Sequence, residues 1–159
     1  MLMVVFRLGH ERYAVRADCV VEIVPLVALK LLPQAPPYVA GLFNYRARVT
    51  PVIDLCKLAL GRRCEDFLSS RIILIDYDRV SGMAPNGRGQ ILGLLAEQVT
   101  ETCTLPSSTS ASPVNVAQTP YLGEIFYSGA ELNQCVEVSK LLPDSVRELL
   151  FAQCAGGGD

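Results

Sequence analysis

The sequence predicts an all-β protein with short helices, built as two small barrels packed together. Three observations carry that prediction. Short runs rich in Val, Ile and Leu recur along the chain, each closed by Gly, Pro, Asn or Ser. No regular alternation of strand and helix occurs, which argues against a doubly wound parallel sheet. A short helical stretch near residue 58 and the polar stretch 62–70 divide the chain into two β-rich halves.

The elements follow in order. MVVFRL (3–8) is an apolar, β-branched strand, and Gly9-His10-Glu11-Arg12 turns the chain. YAV and VVEIV (20–24) continue the β pattern, and Pro25 argues against a central, uninterrupted strand there. VALKLLP is a further short segment. Pro33, Pro36 and Pro37 impose a kinked, extended approach to Tyr38. GLFNY (41–45) and VTPVID (49–54) flank an arginine-rich tip, Arg46-Ala47-Arg48, and Pro51 points to an edge strand or a bulge. Asp54 can cap a short helix, LCKLAL, whose Leu55, Leu58 and Ala59 share a face and whose stop is Gly61.

RRCEDFLSS is a polar connector and RIILIDY (71–77) a clear strand. Residues 78–89 read as a solvated loop. ILGLLA and VTETCTL are two strands, and 106–120, with three prolines, is a long loop. LGEIFYS and ELNQCVEVS form a hairpin around Ser128-Gly129-Ala130. A helix over 144–153 closes the chain, with Ser145-x-x-Glu148 as a capping box, and the terminal AGGGD frays. The count is about ten short strands in a single domain, 1–159. Its approximate lobes are 13–65, with a strand from the C-terminal part, and 66–140.

Half of the 159 residues are hydrophobic and 19% are charged, enough for a buried core. A net charge of −2 argues against nucleic acid or an anionic membrane as partner. No apolar run approaches the roughly 20 residues of a membrane span. The N-terminal residues lack a leader pattern, so the protein reads as cytoplasmic.

The chemistry of catalysis is hard to find. The six cysteines form no C-x-x-C pair and read as reduced thiols used as small apolar groups. The single histidine, His10, falls in a turn. Asp76 and Asp78, at alternate positions, would share one face at the end of a strand, as solvated acids rather than metal ligands. No catalytic residue, cofactor or metal is assigned. A binding module is therefore expected before an enzyme. A general β-barrel interaction module and a thiol-based redox sensor are the alternatives.

Residues 35–55 carry Ala35, Pro36, Tyr38, Val39, Gly41, Asn44, Arg46, Pro51, Val52, Asp54 and Leu55 in the order a-P-x-y-v-x-G-v-x-N-x-R-G-x-x-x-P-V-x-D-L. This stretch resembles the hallmark of the CheW-like domain of chemotaxis coupling proteins and their histidine kinases. Val20-Val21-Glu22-Ile23 resembles the family's V-x-E-I, and Gly93 to Val99 resembles its G-l-x-x-D-x-V element, with Glu97 in place of Asp. VEVSKLL resembles the closing segment.

The resemblance implies two SH3-like five-stranded β-barrel lobes and a non-enzymatic adaptor. The adaptor would join a chemoreceptor's cytoplasmic tip to the regulatory domain of a CheA-type histidine kinase, in membrane-associated receptor arrays. It places partner contacts at Arg46, Glu22, Tyr45 and Asn44. Asn44 and Asp54 also organise the hairpin and the helix after it. Ala47 stands where the family has Gly, so either the turn is rearranged or Ala47 keeps an allowed φ. Flagellar chemotaxis, type IV pilus control and Wsp-type surface sensing through cyclic-di-GMP all use such adaptors. The departures at Tyr45 and Ala47 point to a non-flagellar branch.

Overall fold

The computed structural model describes residues 1–81, 90–105 and 119–156. The two expected loops therefore lie largely outside the described residues, as does the end of AGGGD. The described residues hold nine strands: β1 (Leu2–Leu8), β2 (Glu11–Arg16), β3 (Val20–Pro25), β4 (Val39–Tyr45), β5 (Arg48–Asp54), β6 (Arg71–Asp76), β7 (Ile91–Thr104), β8 (Leu122–Ser128) and β9 (Glu131–Val136). The described residues also hold three α-helices: α1 (Leu55–Leu60), α2 (Tyr77–Ser81) and, after the last strand, α3 (Asp144–Gly156). The fold is mostly β-sheet with short helices, as the sequence predicts.

The strands run β3-β6-β7-β1-β2-β9-β8, with β5 pairing both β4 and β7. β7 joins the two ends of this order. Its first half pairs with β6 antiparallel and with β5 in parallel, and its second half pairs with β1. The sequence reads this stretch as two strands. It is one strand of 14 residues. Gln98 takes a left-handed φ of 47°, and the β1–β7 register shifts between Val5 and Arg7. The bulge re-aims the strand without ending it.

Apolar residues line both faces of β6 and β1, so the sheet curls to give each face a core. Along β6, Ile73 and Ile75 enter the largest core with Phe6, Ile53 and Leu94, while Ile72 and Leu74 face a second core with Tyr45, Val52 and Leu95. Along β1, Val4, Phe6 and Leu8 face the large core, and Met3 and Val5 face a third with Ala14 and Phe126. Strands buried on both faces read as continuous apolar runs, as MVVF and IILI do.

The prolines behave as their chemistry requires. Pro25 is the last residue of β3, whose only partner strand among the described residues is β6. Pro51 is not on an edge strand, because β5 is paired on both sides, but the β4–β5 register shifts beside it, between Val39 and Gly41 opposite Ile53 and Val52. Its partner Leu42 directs its own N–H and C=O to Lys30, at 2.8 Å each. Leu42 and Pro51 are therefore a non-hydrogen-bonded pair, and the ladder to β7 starts only at Val52. No donor is missed at Pro51. VALKLLP contributes only the isolated bridge of Lys30 to Leu42. Gly41 makes that bridge possible: at φ 148°, a Cβ there would lie 2.6 Å from the Lys30 carbonyl oxygen.

The helices show one success and two differences. Asp54 caps α1, accepting from the Lys57 N–H at 3.0 Å, and Gly61 ends it at φ 78°. α2 was not expected. Asp76 Oδ1 accepts from the Arg79 N–H at 3.2 Å and caps it, so the strand stops one residue before Tyr77. Asp78 then sits in a helix and accepts from the Gln90 N–H at 2.9 Å, so the two acids do not share a strand face. In α3 the first helical bond runs from the Arg147 N–H to the Pro143 carbonyl. That makes Pro143 the cap and leaves Ser145 inside the helix.

Candidate partner-docking site at the β4–β5 hairpin

Tyr45 and Arg48 are paired, so Arg46 and Ala47 alone form the loop of the β4–β5 hairpin. Both residues have positive φ, 50° and 65°. Two left-handed residues in a two-residue loop make the type I′ turn whose twist matches the flanking strands. Ala47 therefore neither rearranges the turn nor escapes to negative φ. It takes the backbone conformation for which glycine is favoured, at a cost of about 1–2 kcal/mol.

This turn aims Arg46 back over the sheet. Its guanidinium lies 5.3 Å from the centre of the Tyr45 ring and 3.7 Å from Glu22 Oε1. The Tyr45 hydroxyl donates to Glu22 Oε2 at 2.5 Å. One carboxylate on β3 thus receives a phenol and a guanidinium from the hairpin, 23 residues away. The hydrogen bond to Glu22, then burial, holds the Tyr45 phenol above its usual range. Tyr45 is 8% exposed, and its ring packs near Phe43 over the second core.

The two contacts of Arg46 are weak. Its side chain is 74% exposed, and that of Glu22 is 39% exposed. An exposed ion pair contributes about 0–1 kcal/mol and an exposed cation–π contact about 0.5–1 kcal/mol. The guanidinium is therefore oriented and still presented to solvent. Asn44 is exposed and, by strand alternation, points to the face opposite Tyr45. The structure brings Glu22, Tyr45 and Arg46 together and leaves Asn44 apart from them.

Sequence reasoning missed two features beside this site. Val21 and Ile23 on β3 are 47% and 40% exposed, an apolar face on an edge strand. Their alternation with Glu22 is visible in VVEIV, but the side that faces solvent is not. The second feature is a buried brace. Glu97, 1% exposed, accepts from the Gly9 N–H at 2.9 Å, the Glu65 N–H at 2.6 Å and both terminal nitrogens of Arg62 at 2.9 and 3.2 Å. Burial alone would raise this carboxyl. The Arg62 hydrogen bonds and the two backbone N–H groups outweigh it and lower the carboxyl to about 2. The glutamate that stands for the family aspartate is thus a structural anchor for the connector after α1.

Four of the described thiols are shifted away from the chemistry of a sensor. Burial pushes Cys19 and Cys135 up to about 11, and it raises Cys103 as well. A hydrogen bond with Cys56, then burial, holds Cys64 far above the ordinary thiol range. Fast thiol redox chemistry needs the opposite shift. His10 is exposed in the β1–β2 turn. Among the described residues, no helix is long and apolar enough to cross a membrane.

The candidate site is thus an exposed, oriented guanidinium on a braced hairpin, beside an apolar sheet edge. The family model of the CheW-like domain matches residues 2–146, and the chain belongs to that family. The chemotaxis protein CheW of Treponema pallidum is 30% identical over 102 residues, which cover 61% of this chain and 60% of that protein. CheW of Klebsiella aerogenes is 30% identical over 139 residues, covering 87% of this chain and 79% of the relative. The probable chemotaxis protein CheW of Rhizobium etli is likewise matched over only 60% of its length. The crystal structure of the scaffolding protein TtCheW from Thermoanaerobacter tengcongensis superposes with a TM-score of 0.76 at 24% identity, covering 91% of this chain and 89% of that one. That last likeness is one of fold.

Proposed function

We propose that this protein is a non-enzymatic chemotaxis coupling scaffold that joins the cytoplasmic tip of a chemoreceptor to the regulatory domain of a CheA-type histidine kinase. The observation that carries the reading is the Glu22–Tyr45–Arg46 cluster on the β4–β5 hairpin of a CheW-like domain. The names of the relatives, chemotaxis protein CheW and scaffolding protein, support it. Arg46 offers a charged, directional contact. Tyr45 and Glu22 fix its direction, and Asn44 adds polar contact from the other face of the strand. Signal would pass through binding free energy alone, as a change in how the kinase is held. The protein would work in the cytoplasm, recruited to membrane-associated receptor arrays. We read the pathway as non-flagellar, either Wsp-type surface sensing through cyclic-di-GMP or type IV pilus control, from the departures at Tyr45 and Ala47.

Charge reversal tests the assignment. Arg46→Glu places two carboxylates at the tip, so capture of the cognate receptor in a pull-down should fall while thermal stability stays within about 1 kcal/mol. Unchanged capture of both receptor and kinase would remove the role given to this hairpin. It would leave a general β-barrel interaction module as the better reading.

A further inference from the structure

Asp54 has a second neighbourhood behind its capping role. One carboxylate oxygen of Asp54 and the sulfurs of Cys56 and Cys64 all lie within 4.8 Å of one another. Asp54 is 5% exposed and Cys56 is fully buried, while Cys64 is only partly buried. We propose that Asp54, Cys56 and Cys64 form a binding site for a thiophilic divalent metal ion of the zinc type, with the fourth position open to water.

Four observations support this. The first is the donor set. Two thiols and a carboxylate suit zinc, which accepts sulfur and oxygen ligands in a tetrahedron. Bonds of about 2.3 Å to sulfur and about 2.1 Å to oxygen put ligand atoms about 3.4–3.8 Å apart. From a separation of at most 4.8 Å, closing the site takes about 1 Å, within reach of side-chain torsions.

The second is electrostatic. Among the described residues no cation forms an ion pair with Asp54, whereas Glu97, equally enclosed, has Arg62. A buried carboxylate without a counter-charge is costly, and a bound cation would supply the charge.

The third is the support around the ligands. The Lys57 and Cys64 N–H groups donate to the Asp54 carboxylate at 3.0 Å each, which fixes the plane a metal-ligating carboxylate needs. The Cys64 N–H spans both oxygens, at 3.0 Å to Oδ2 and 3.3 Å to Oδ1, and the Cys64 thiol hydrogen-bonds to the same carboxylate, a contact that a bound ion would replace.

The fourth is access. Cys64 lies in the connector after α1, and its partial exposure gives the ion a path. On binding, each thiol releases its proton to solvent and gives a sulfur lone pair to the ion. The Cys64 thiol gives up its contact with the Leu95 carbonyl, now 3.4 Å away.

Occupancy would tie the start of α1 to the connector through a metal rather than through backbone N–H groups alone. The site sits at the end of β5 away from the Arg46–Ala47 turn, and it stands whether or not the scaffold reading does.

The test uses the full chain, reduced and stripped of metal by a chelator, and titrated with Co2+ and then Zn2+. The expected result is one Co2+ per chain, with a thiolate-to-cobalt charge-transfer band and the visible bands of four-coordinate cobalt. Zn2+ should abolish both bands and raise the melting temperature. Cys56→Ala and Cys64→Ala should each weaken binding by at least the roughly 10–100-fold that loss of an outer-shell partner costs. Cys19→Ala should not change it. Zinc X-ray absorption of the wild-type protein should show two sulfurs in the first shell, a reading that survives even if a variant fails to fold. Absence of a thiolate band in the wild type, a zinc shell of nitrogen and oxygen only, or a band that persists in the Cys56→Ala/Cys64→Ala double variant would overturn the site.

Discussion

The carboxylate of Glu97 takes both terminal nitrogens of Arg62 in a fork, at 2.9 and 3.2 Å, although the two residues are 35 positions apart. The same carboxylate holds the Gly9 N–H of the β1–β2 turn and the Glu65 N–H of the connector. Four donors on one buried group tie two chain segments, the β1–β2 turn and the connector after α1, to the bulge of β7. Glu97→Gln keeps the shape but replaces a charged acceptor with an amide that cannot serve all four donors. Unsatisfied buried donors cost about 1–3 kcal/mol, more beside a charge. The variant should lose about 2–3 kcal/mol in urea unfolding, with an unchanged dependence on urea concentration.

The same brace sets an acid limit. The Glu97 carboxyl falls from an ordinary value of 4.5 to about 2 on folding. The folded state therefore favours the ionised form, and this contribution is complete above about pH 5 and lost as pH falls towards 2. It amounts to about 2–3 kcal/mol once the exposure of Arg62 is allowed for. The stability gap between wild type and Glu97→Gln should be widest near neutral pH and close between about pH 5 and pH 2. A gap that is constant with pH would mean that shape rather than charge holds the connector.

Strand runs, the cap at Asp54 and the stop at Gly61 were legible because each is a local pattern. A helix cap needs three residues and a strand needs five or six. What escaped was non-local. The sequence reads ILGLLA and VTETCTL as separate strands, because nothing in EQVT says that a left-handed Gln98 lets one strand serve two sets of partners. α2 escaped because Asp76 looks like the end of a strand until its carboxylate is seen on the Arg79 N–H. At the candidate site the hallmark stretch points to Arg46 and Tyr45, and the separate segment VVEI points to Glu22. The shared carboxylate that unites them depends on β3 and the β4–β5 hairpin lying side by side.

The left-handed Ala47 makes a stability prediction of unusual sign. At φ 65° an alanine methyl crowds its own carbonyl, and glycine does not. Ala47→Gly should stabilise the protein by about 0.5–1 kcal/mol, after the greater freedom of glycine in the unfolded chain is subtracted. Thermal unfolding checks it. Destabilisation would mean that the Ala47 side chain makes contacts worth more than its backbone strain.

Tyr45 and Glu22 should prove coupled. The phenol of Tyr45, largely buried, has Glu22 as its acceptor at 2.5 Å. Tyr45→Phe removes the donor and leaves the ring under Arg46, and Glu22→Gln weakens the acceptor while keeping the shape. Each change should cost about 1 kcal/mol in unfolding, and the double variant should cost little more than either one. A coupling of about 1 kcal/mol is therefore expected from the cycle. If the pair serves to aim Arg46, both single variants should also weaken partner capture in the pull-down, although neither removes the arginine. Tyr45→Phe is the sharper arm, since its ring still supports the guanidinium and only the anchor to β3 is lost. Additive unfolding energies would mean that the phenol finds water instead of Glu22 in solution. Full partner capture by Tyr45→Phe would mean that Arg46 acts without being aimed.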